Sequence, residues 1–180
     1  MTVGAVESTV ADAEAMEALG ASVARLLRAG DLVVLTGPLG AGKTTFTRGL
    51  GEGLEVRGQV SSPTFVLART HPTASGVPLV HVDAYRLSGE AELDDLDLDY
   101  AGSIVVVEWG AGLLDGVAES WLDVVIERPT GAAVERTPGA AERTPGAAEG
   151  DSADDPADEP RRVSITAHGT RWAGVALPSA

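Results

Sequence analysis

Apolar positions along this chain recur with two periods, and the change between them marks out the elements. Between Ala13 and Ala29, Met16, Leu19, Val23, Leu26 and Leu27 follow helical spacing, with Asp12 in N-cap position and Gly30 as the stop. This predicts a packing helix. The residues before it, 1–11, read as an edge strand or a loose terminus. Leu32 to Leu35 form a continuous apolar run of strand length. Val77 to Val82 predicts another strand, ending in Asp83, and Ile104 to Val107 predicts the most apolar strand, ending in Glu108. Trp121 to Glu127 alternates, with Leu122, Val124 and Ile126 on one face. Val163, Ile165 and Ala167 alternate likewise, so the two segments are expected to pair as a closing hairpin. Within the acidic run Glu90 to Tyr100, Leu93, Leu96 and Tyr100 are spaced for one helix face. Its six acids read as a solvated face, or else as an attraction for a basic partner.

The segment from Pro129 to Pro160 departs from this pattern. It holds five prolines, eight acids and two arginines, and the heptapeptide ERTPGAA occurs twice in succession, at 135–141 and 142–148. Such a stretch has too little to bury to offset the entropy of ordering it. It predicts a disordered acidic insertion in a hairpin loop, which loop-closure entropy tolerates at small cost. The fold expected from the rest is a three-layer α/β domain with a mainly parallel sheet and an antiparallel C-terminal extension. Residues 1–128 carry the domain, 129–160 the insertion, and 161–180 a final strand that completes the same domain.

The chemistry concentrates behind the first apolar run. Gly37-Pro38-Leu39-Gly40-Ala41-Gly42-Lys43-Thr44-Thr45 follows a strand and opens a segment free of Gly and Pro until Gly49, which predicts a helix from Lys43 to near Leu50 with Gly51 and Gly53 marking its end. Strand, G-x-x-x-x-G-K-T, then helix is the context that a phosphate-binding loop requires. Glycines let backbone N–H groups converge on phosphate oxygens, and a helix N-terminus adds the positive end of its dipole. Lys43 can then reach the β- and γ-phosphates, and the Thr44 hydroxyl can ligate Mg²⁺. Lys43 is also the only lysine; the other twelve basic residues are arginine. A compact ammonium survives at the one position where a planar guanidinium would not substitute.

Three further stretches bear on that loop. Gln59 to Leu67 reads as a loop feeding a strand, and its hydroxyls lie where nucleotide switches place a γ-phosphate or Mg²⁺ sensor; a plain Ser/Pro turn is the other reading. Asp83 and Glu108 both end strands, where open α/β sheets bind ligands, and the more apolar strand favours Glu108 as the central acid. His81 alternates with apolar residues and, with no acid–base partner visible, reads as a core or edge histidine. Trp109 either stacks on a ligand or plugs the core.

Composition narrows the classes. A net charge of −14 argues against a protein that grips nucleic acid by itself, so no DNA partner is expected, and any RNA would be held by a partner. The absence of cysteine removes disulfides, thiolate metal sites and cysteine nucleophiles. With no run of 18 apolar residues and no signal-peptide pattern at the N-terminus, no membrane association is expected, and the cytoplasm is the expected location. A GTPase is disfavoured, because its N-K-x-D segment is impossible in a chain without asparagine whose one lysine is already used.

Taken together, GPLGAGKTTFTRG (37–49), SSPTF (61–65), HVDAYR (81–86) and VVEWG (106–110) resemble, in order and spacing, the TsaE family. This is the bacterial P-loop ATPase family of tRNA threonylcarbamoyladenosine (t6A) synthesis, and the resemblance covers about Asp12 to Ile126 plus the final strand. It implies ATP and Mg²⁺ as cofactors, and action on the TsaD–TsaB complex that transfers a threonylcarbamoyl group to A37 of tRNA. It also implies that residues from Gly37 to Thr45 hold the phosphates and that Thr44 and Glu108 ligate the metal. Ser61, Ser62, Pro63, Thr64 and Phe65 match a first switch, and Asp83 in the motif with His81, Tyr85 and Arg86 matches a second. Lys43, Asp83 and Glu108 become the expected catalytic set, with Trp109 near the nucleotide and Asp12 where the family's N-terminal cap approaches it. The sequence departs from the family pattern at Asp97, where LxxLGLxDY would place glycine. Two other readings stay open. One is a small-molecule kinase, for which Arg69 and Arg86 are the only attractive clamping arginines. The other is a binding module gated by nucleotide, in which hydrolysis is incidental.

Overall fold

All four residues of the run Leu32–Leu35 are buried, because both faces of their strand are covered. The computed structural model describes residues 1–87, 90–112, 117–128 and 159–180. In chain order the elements are β1 (Thr2–Val10), α1 (Ala13–Ala24), β2 (Leu32–Thr36), α2 (Lys43–Gly53) and β3 (Ala68–His71). Then come β4 (Leu79–Asp83), α3 (Glu90–Asp94), β5 (Ile104–Glu108), β6 (Trp121–Glu127) and β7 (Arg161–His168). One seven-stranded sheet holds them in the order β1-β7-β6-β2-β5-β4-β3. The four central strands, β6, β2, β5 and β4, are parallel. Antiparallel strands flank them on both sides, β7 and β1 on one and β3 on the other. The expected pairing of β6 with β7 is present, and residues 1–11 supply an edge strand.

Side chains along the central strands alternate between two cores. Val33, Leu35, Leu79, Ile104 and Val106 pack under α1 and α2. Leu32, Val34, Val80, Val82, Val105 and Val107 pack on the opposite face, where Leu93, Leu96 and Tyr100 cover them. This alternation matters for the site. His81 and Asp83 continue the Leu79 face, and Glu108 continues the face of Ile104 and Val106, so all three are carried towards the α2 layer.

The helices differ from expectation in their lengths. α1 starts at the predicted cap, with the Asp12 carboxylate accepting from the Ala15 N–H at 2.8 Å. It ends at Ala24 rather than Ala29, because the Leu26 and Leu27 N–H groups bond three residues back and tighten the last turn. α2 runs through Gly51 to Gly53 instead of stopping near Leu50. Its glycines are there for packing. A Cβ on Gly49 would overlap the Glu17 carbonyl of α1, one on Gly53 would meet Ala21 and Ala24, and one on Gly20 would meet the Phe46 carbonyl. Their absence lets the two helix backbones touch. The acidic run is helical only as α3, since Asp97 takes a left-handed backbone (φ 47°) and turns the chain. Leu96 and Tyr100 still reach the same core as Leu93. The position where the family pattern places glycine is thus one whose conformation favours glycine, and aspartate is among the few other residues that tolerate it. Apart from Glu159 and Pro160, the expected disordered insertion lies outside the described residues. Glu159 joins the fold through Arg128 and Arg161.

Candidate functional site

The carboxyl ends of β2, β5 and β4 are flush, with Leu35 opposite Glu108 and Glu108 opposite Asp83. After β2 the chain winds to β5 and β4 on one side, and it reaches β6 on the other side only later. The loop 37–42 therefore leaves the sheet at its switch point, where open α/β sheets hold ligands. Gly40 and Gly42 have φ of 73° and 111°, a left-handed turn that side chains resist, and α2 begins directly after it at Lys43.

A cavity of about 230 Å³ opens there, lined by residues 39–45, Ser62, Thr64, Asp83, Glu108 and Trp109. Lys43 is 5 % exposed, and its Nζ donates to the carbonyls of Gly37 and Pro38 at 2.8 and 3.0 Å. The same ammonium lies 3.8 Å from the centre of a Trp109 ring, a cation–π contact. Burial lowers the Lys43 pKa, while the negative charges of Glu108 and Asp83 work the other way and help keep it protonated. Glu108 Oε1 accepts from the Thr44 hydroxyl at 3.0 Å and is 2.8 Å from His81 Nε2. Asp83 Oδ2 accepts from the Thr64 hydroxyl at 2.6 Å, and Oδ1 caps the following turn by accepting from the Tyr85 N–H at 3.0 Å. Ser62 and Thr64 share a further hydrogen bond of 2.6 Å. The two expected switch segments are therefore tied to each other through Thr64 and Asp83.

The candidate residues do not all meet in one place. Gly40, Ala41, Gly42, Lys43, Thr44, Thr45, Ser62, Thr64, Asp83, Glu108 and Trp109 meet at the cavity, which Gly37 borders through its carbonyl on Lys43. His81 stands behind it, fully buried, and its partner is Glu108 on the neighbouring strand, 27 residues away. Ser61 instead accepts from Arg69, and Phe65 is 87 % exposed with the Arg86 guanidinium 5.7 Å from its ring centre. Tyr85 is exposed too, with its ring 5.3 Å from that of Trp109. Asp12 lies apart, in an adjoining cavity of about 390 Å³ on the other side of Gly40–Gly42. Sequence reasoning missed other residues of that second cavity, among them Arg48, Arg128, Glu159 and Arg161. Arg128 and Glu159 bracket the compositionally biased segment, and their 2.9 Å ion pair has no signal in local spacing.

A left-handed glycine turn at a helix N-terminus, with one buried ammonium beside it, suits a polyphosphate. The fold and this site define a P-loop nucleotide-binding protein. Residues 10–137 match the family model described as threonylcarbamoyl adenosine biosynthesis protein TsaE, and the chain belongs to that family. It is 52 % identical over 162 residues to a tRNA threonylcarbamoyladenosine biosynthesis protein TsaE from Streptomyces coelicolor, covering 88 % of this chain and 94 % of the relative. A TsaE protein from Mycobacterium leprae is 50 % identical over 121 residues, covering 62 % of this chain and 75 % of the relative. The crystal structure of YdiB from Bacillus subtilis superposes with a TM-score of 0.64 at 26 % identity, covering 96 % of this chain and 90 % of that one. Among the described residues, no helix is long and apolar enough to cross a membrane.

Proposed function

We propose that this chain is a Mg²⁺-dependent ATPase that serves tRNA t6A37 modification by acting on, or regulating, a TsaD–TsaB threonylcarbamoyl transferase complex. The observation that carries the reading is the convergence of Lys43, Thr44 and Glu108 at one cavity on the switch point of the sheet. Thr44 Oγ1 and Glu108 Oε1 are 3.0 Å apart, close to the separation of neighbouring oxygens around a small cation with ligand distances of about 2.0–2.1 Å. No group of three or more His, Cys, Asp or Glu suited to a metal occurs among the described residues. That suits Mg²⁺, which takes one or two protein oxygens and fills its shell with phosphate and water. Thr44 and Glu108 would hold Mg²⁺, which would supply charge neutralisation to the phosphates.

The chain's own part is positional and electrostatic. Lys43 would leave the Gly37 and Pro38 carbonyls and follow the phosphates, while the loop amides hold them. Thr64 and Asp83 form the pair that a γ-phosphate would rearrange. Turnover by the isolated protein is expected to be weak and to rise with the complex. No arginine lines the cavity among the described residues, which favours hydrolysis over the kinase alternative, since a kinase clamps its transferred phosphoryl with arginines.

The test is ATP hydrolysis by the purified protein, alone and with TsaD–TsaB, beside Lys43→Ala. Weak turnover that rises with the complex and vanishes in Lys43→Ala is expected. Turnover that follows an added phosphoryl acceptor and ignores TsaD–TsaB would install the kinase. Nucleotide-gated complex formation without turnover would leave a binding module.

A further inference from the structure

We propose that His81 is the positioning residue for the Glu108 carboxylate, a buried imidazole that anchors this acid to the sheet so that it meets the cation in a fixed orientation. The inference rests on the reading of Glu108 as an acid that faces a nucleotide-bound divalent cation. Its source is the geometry behind the cavity. His81 has no exposed surface, and its Nε2 lies 2.8 Å from Glu108 Oε1. The contact is diagonal across parallel strands. His81 stands opposite Val106, and Glu108 is two residues further along the same face of β5.

The ring's other nitrogen decides which way the proton sits. Nδ1 is buried and has no hydrogen-bond partner among the described residues. A proton on Nε2 lets the ring donate to the carboxylate and leaves only a lone pair unmatched at Nδ1. The opposite tautomer would bury an orphan N–H and set two lone-pair atoms against each other.

The two acids of the site are held in contrasting ways. Asp83 is gripped by Thr64 from the loop after α2 and by the N–H of the turn that follows it. Both partners are local to segments that border the cavity. Glu108 also receives a hydroxyl, from Thr44, but Thr44 belongs to the loop–helix junction that a nucleotide would touch. The His81 bond alone comes from inside the sheet, where strand pairing fixes the donor whatever occupies the cavity. A donor on a rigid element holds a carboxylate more exactly than one on a loop can. Such partners of a metal ligand are commonly worth about 10–100-fold in metal affinity.

The experiment titrates Mg²⁺ against binding of a fluorescent ATP analogue, mant-ATP, to the full chain, with an EDTA series as the metal-free reference. In His81→Leu the Mg²⁺ needed for half-maximal tightening is expected to rise by about tenfold or more, with the affinity in EDTA kept within about twofold. His81→Gln, whose amide N–H can still donate towards Oε1, is expected to recover to within about threefold of the parent. In a Glu108→Ala background, His81→Leu should add nothing. An unchanged Mg²⁺ requirement in His81→Leu overturns the proposal. So does a His81→Gln variant as impaired as His81→Leu, or an equal loss of binding in EDTA, since either marks a packing role. If His81→Leu does not fold, His81→Asn replaces it; its amide is too short to reach Oε1, and full retention of Mg²⁺ affinity there would be equally fatal. A parent protein whose mant-ATP binding ignores Mg²⁺ sinks the cation reading and this inference together. A Mg²⁺-dependent parent with an unaffected His81→Leu sinks this inference alone.

Discussion

Asp31, just before β2, and Glu108, at the far end of β5, are both buried carboxylates, 5 % and 4 % exposed. Asp31 meets a full opposite charge. Arg171 donates to it from Nε and Nη2, each at 3.0 Å, and the same Nη2 also donates to the Leu26 carbonyl at 2.7 Å. The Arg28 N–H adds a further bond at 2.9 Å. Glu108 instead meets a hydroxyl and an imidazole, while the nearby ammonium of Lys43 is directed at backbone carbonyls. One end of the sheet closes its charge with charge. The other holds its carboxylates with neutral or exchangeable partners, leaving negative charge that an incoming cation can match. Burial of an acid is therefore no guide to its role; the chemistry of its partners is.

The sharpest way to break this contrast is to remove both acids in turn. Asp31→Ala orphans Arg171 and should cost about 3 kcal/mol in urea unfolding, the lower end of the range for a broken buried pair because Arg171 keeps a solvent-exposed edge. Its ATP turnover per folded molecule should stay within about twofold of the parent if that end is purely structural. Glu108→Gln should do the reverse, with turnover falling about a hundredfold and stability changing by less than about 1 kcal/mol. Equal losses of stability in both variants would erase the distinction.

A smaller effect is expected where neither charge nor ligand is involved. Gly49→Ala forces a methyl against the α1 backbone at Glu17 and should destabilise by about 2–3 kcal/mol, with a lowered urea midpoint and an unchanged slope. Because α2 carries Lys43 and Thr44 on its first turn, a shifted helix should also weaken nucleotide binding, which Asp31→Ala should not. The smallest change is at Asp97. Asp97→Gly relieves a left-handed aspartate and should raise stability by about 0.5 kcal/mol, the gain being limited by the greater freedom of glycine in the unfolded chain. A loss instead would mean that the Asp97 side chain contributes a contact of its own.

How much of this was legible beforehand varies by residue. Lys43, Thr44 and the glycines around them sit in one contiguous motif, and Asp83 and Glu108 each end an apolar run, so their place at the cavity could be read from strand patterning. The helix stops could not. Gly51 and Gly53 look like terminators in sequence, yet α2 passes through both, because a glycine serves close helix packing as readily as it serves a turn. The end of α1 was hidden for a related reason. Leu26 and Leu27 keep helical spacing, but a tightened last turn and the pull of Arg171 on the Leu26 carbonyl draw the chain away.

The sequence by itself determined the strand–loop–helix unit, the buried central strands and the one lysine that heads α2, because each depends on residues adjacent in the chain or on a period of two. Tertiary structure alone decided that His81 meets Glu108, that Thr64 meets Asp83, that Asp31 is matched by an arginine 140 residues away, and that Lys43 lies against Trp109. These contacts depend on strand register and on which elements the sheet brings side by side. Neither is a property of any local stretch, since register is fixed only when both faces of the sheet have found their cores.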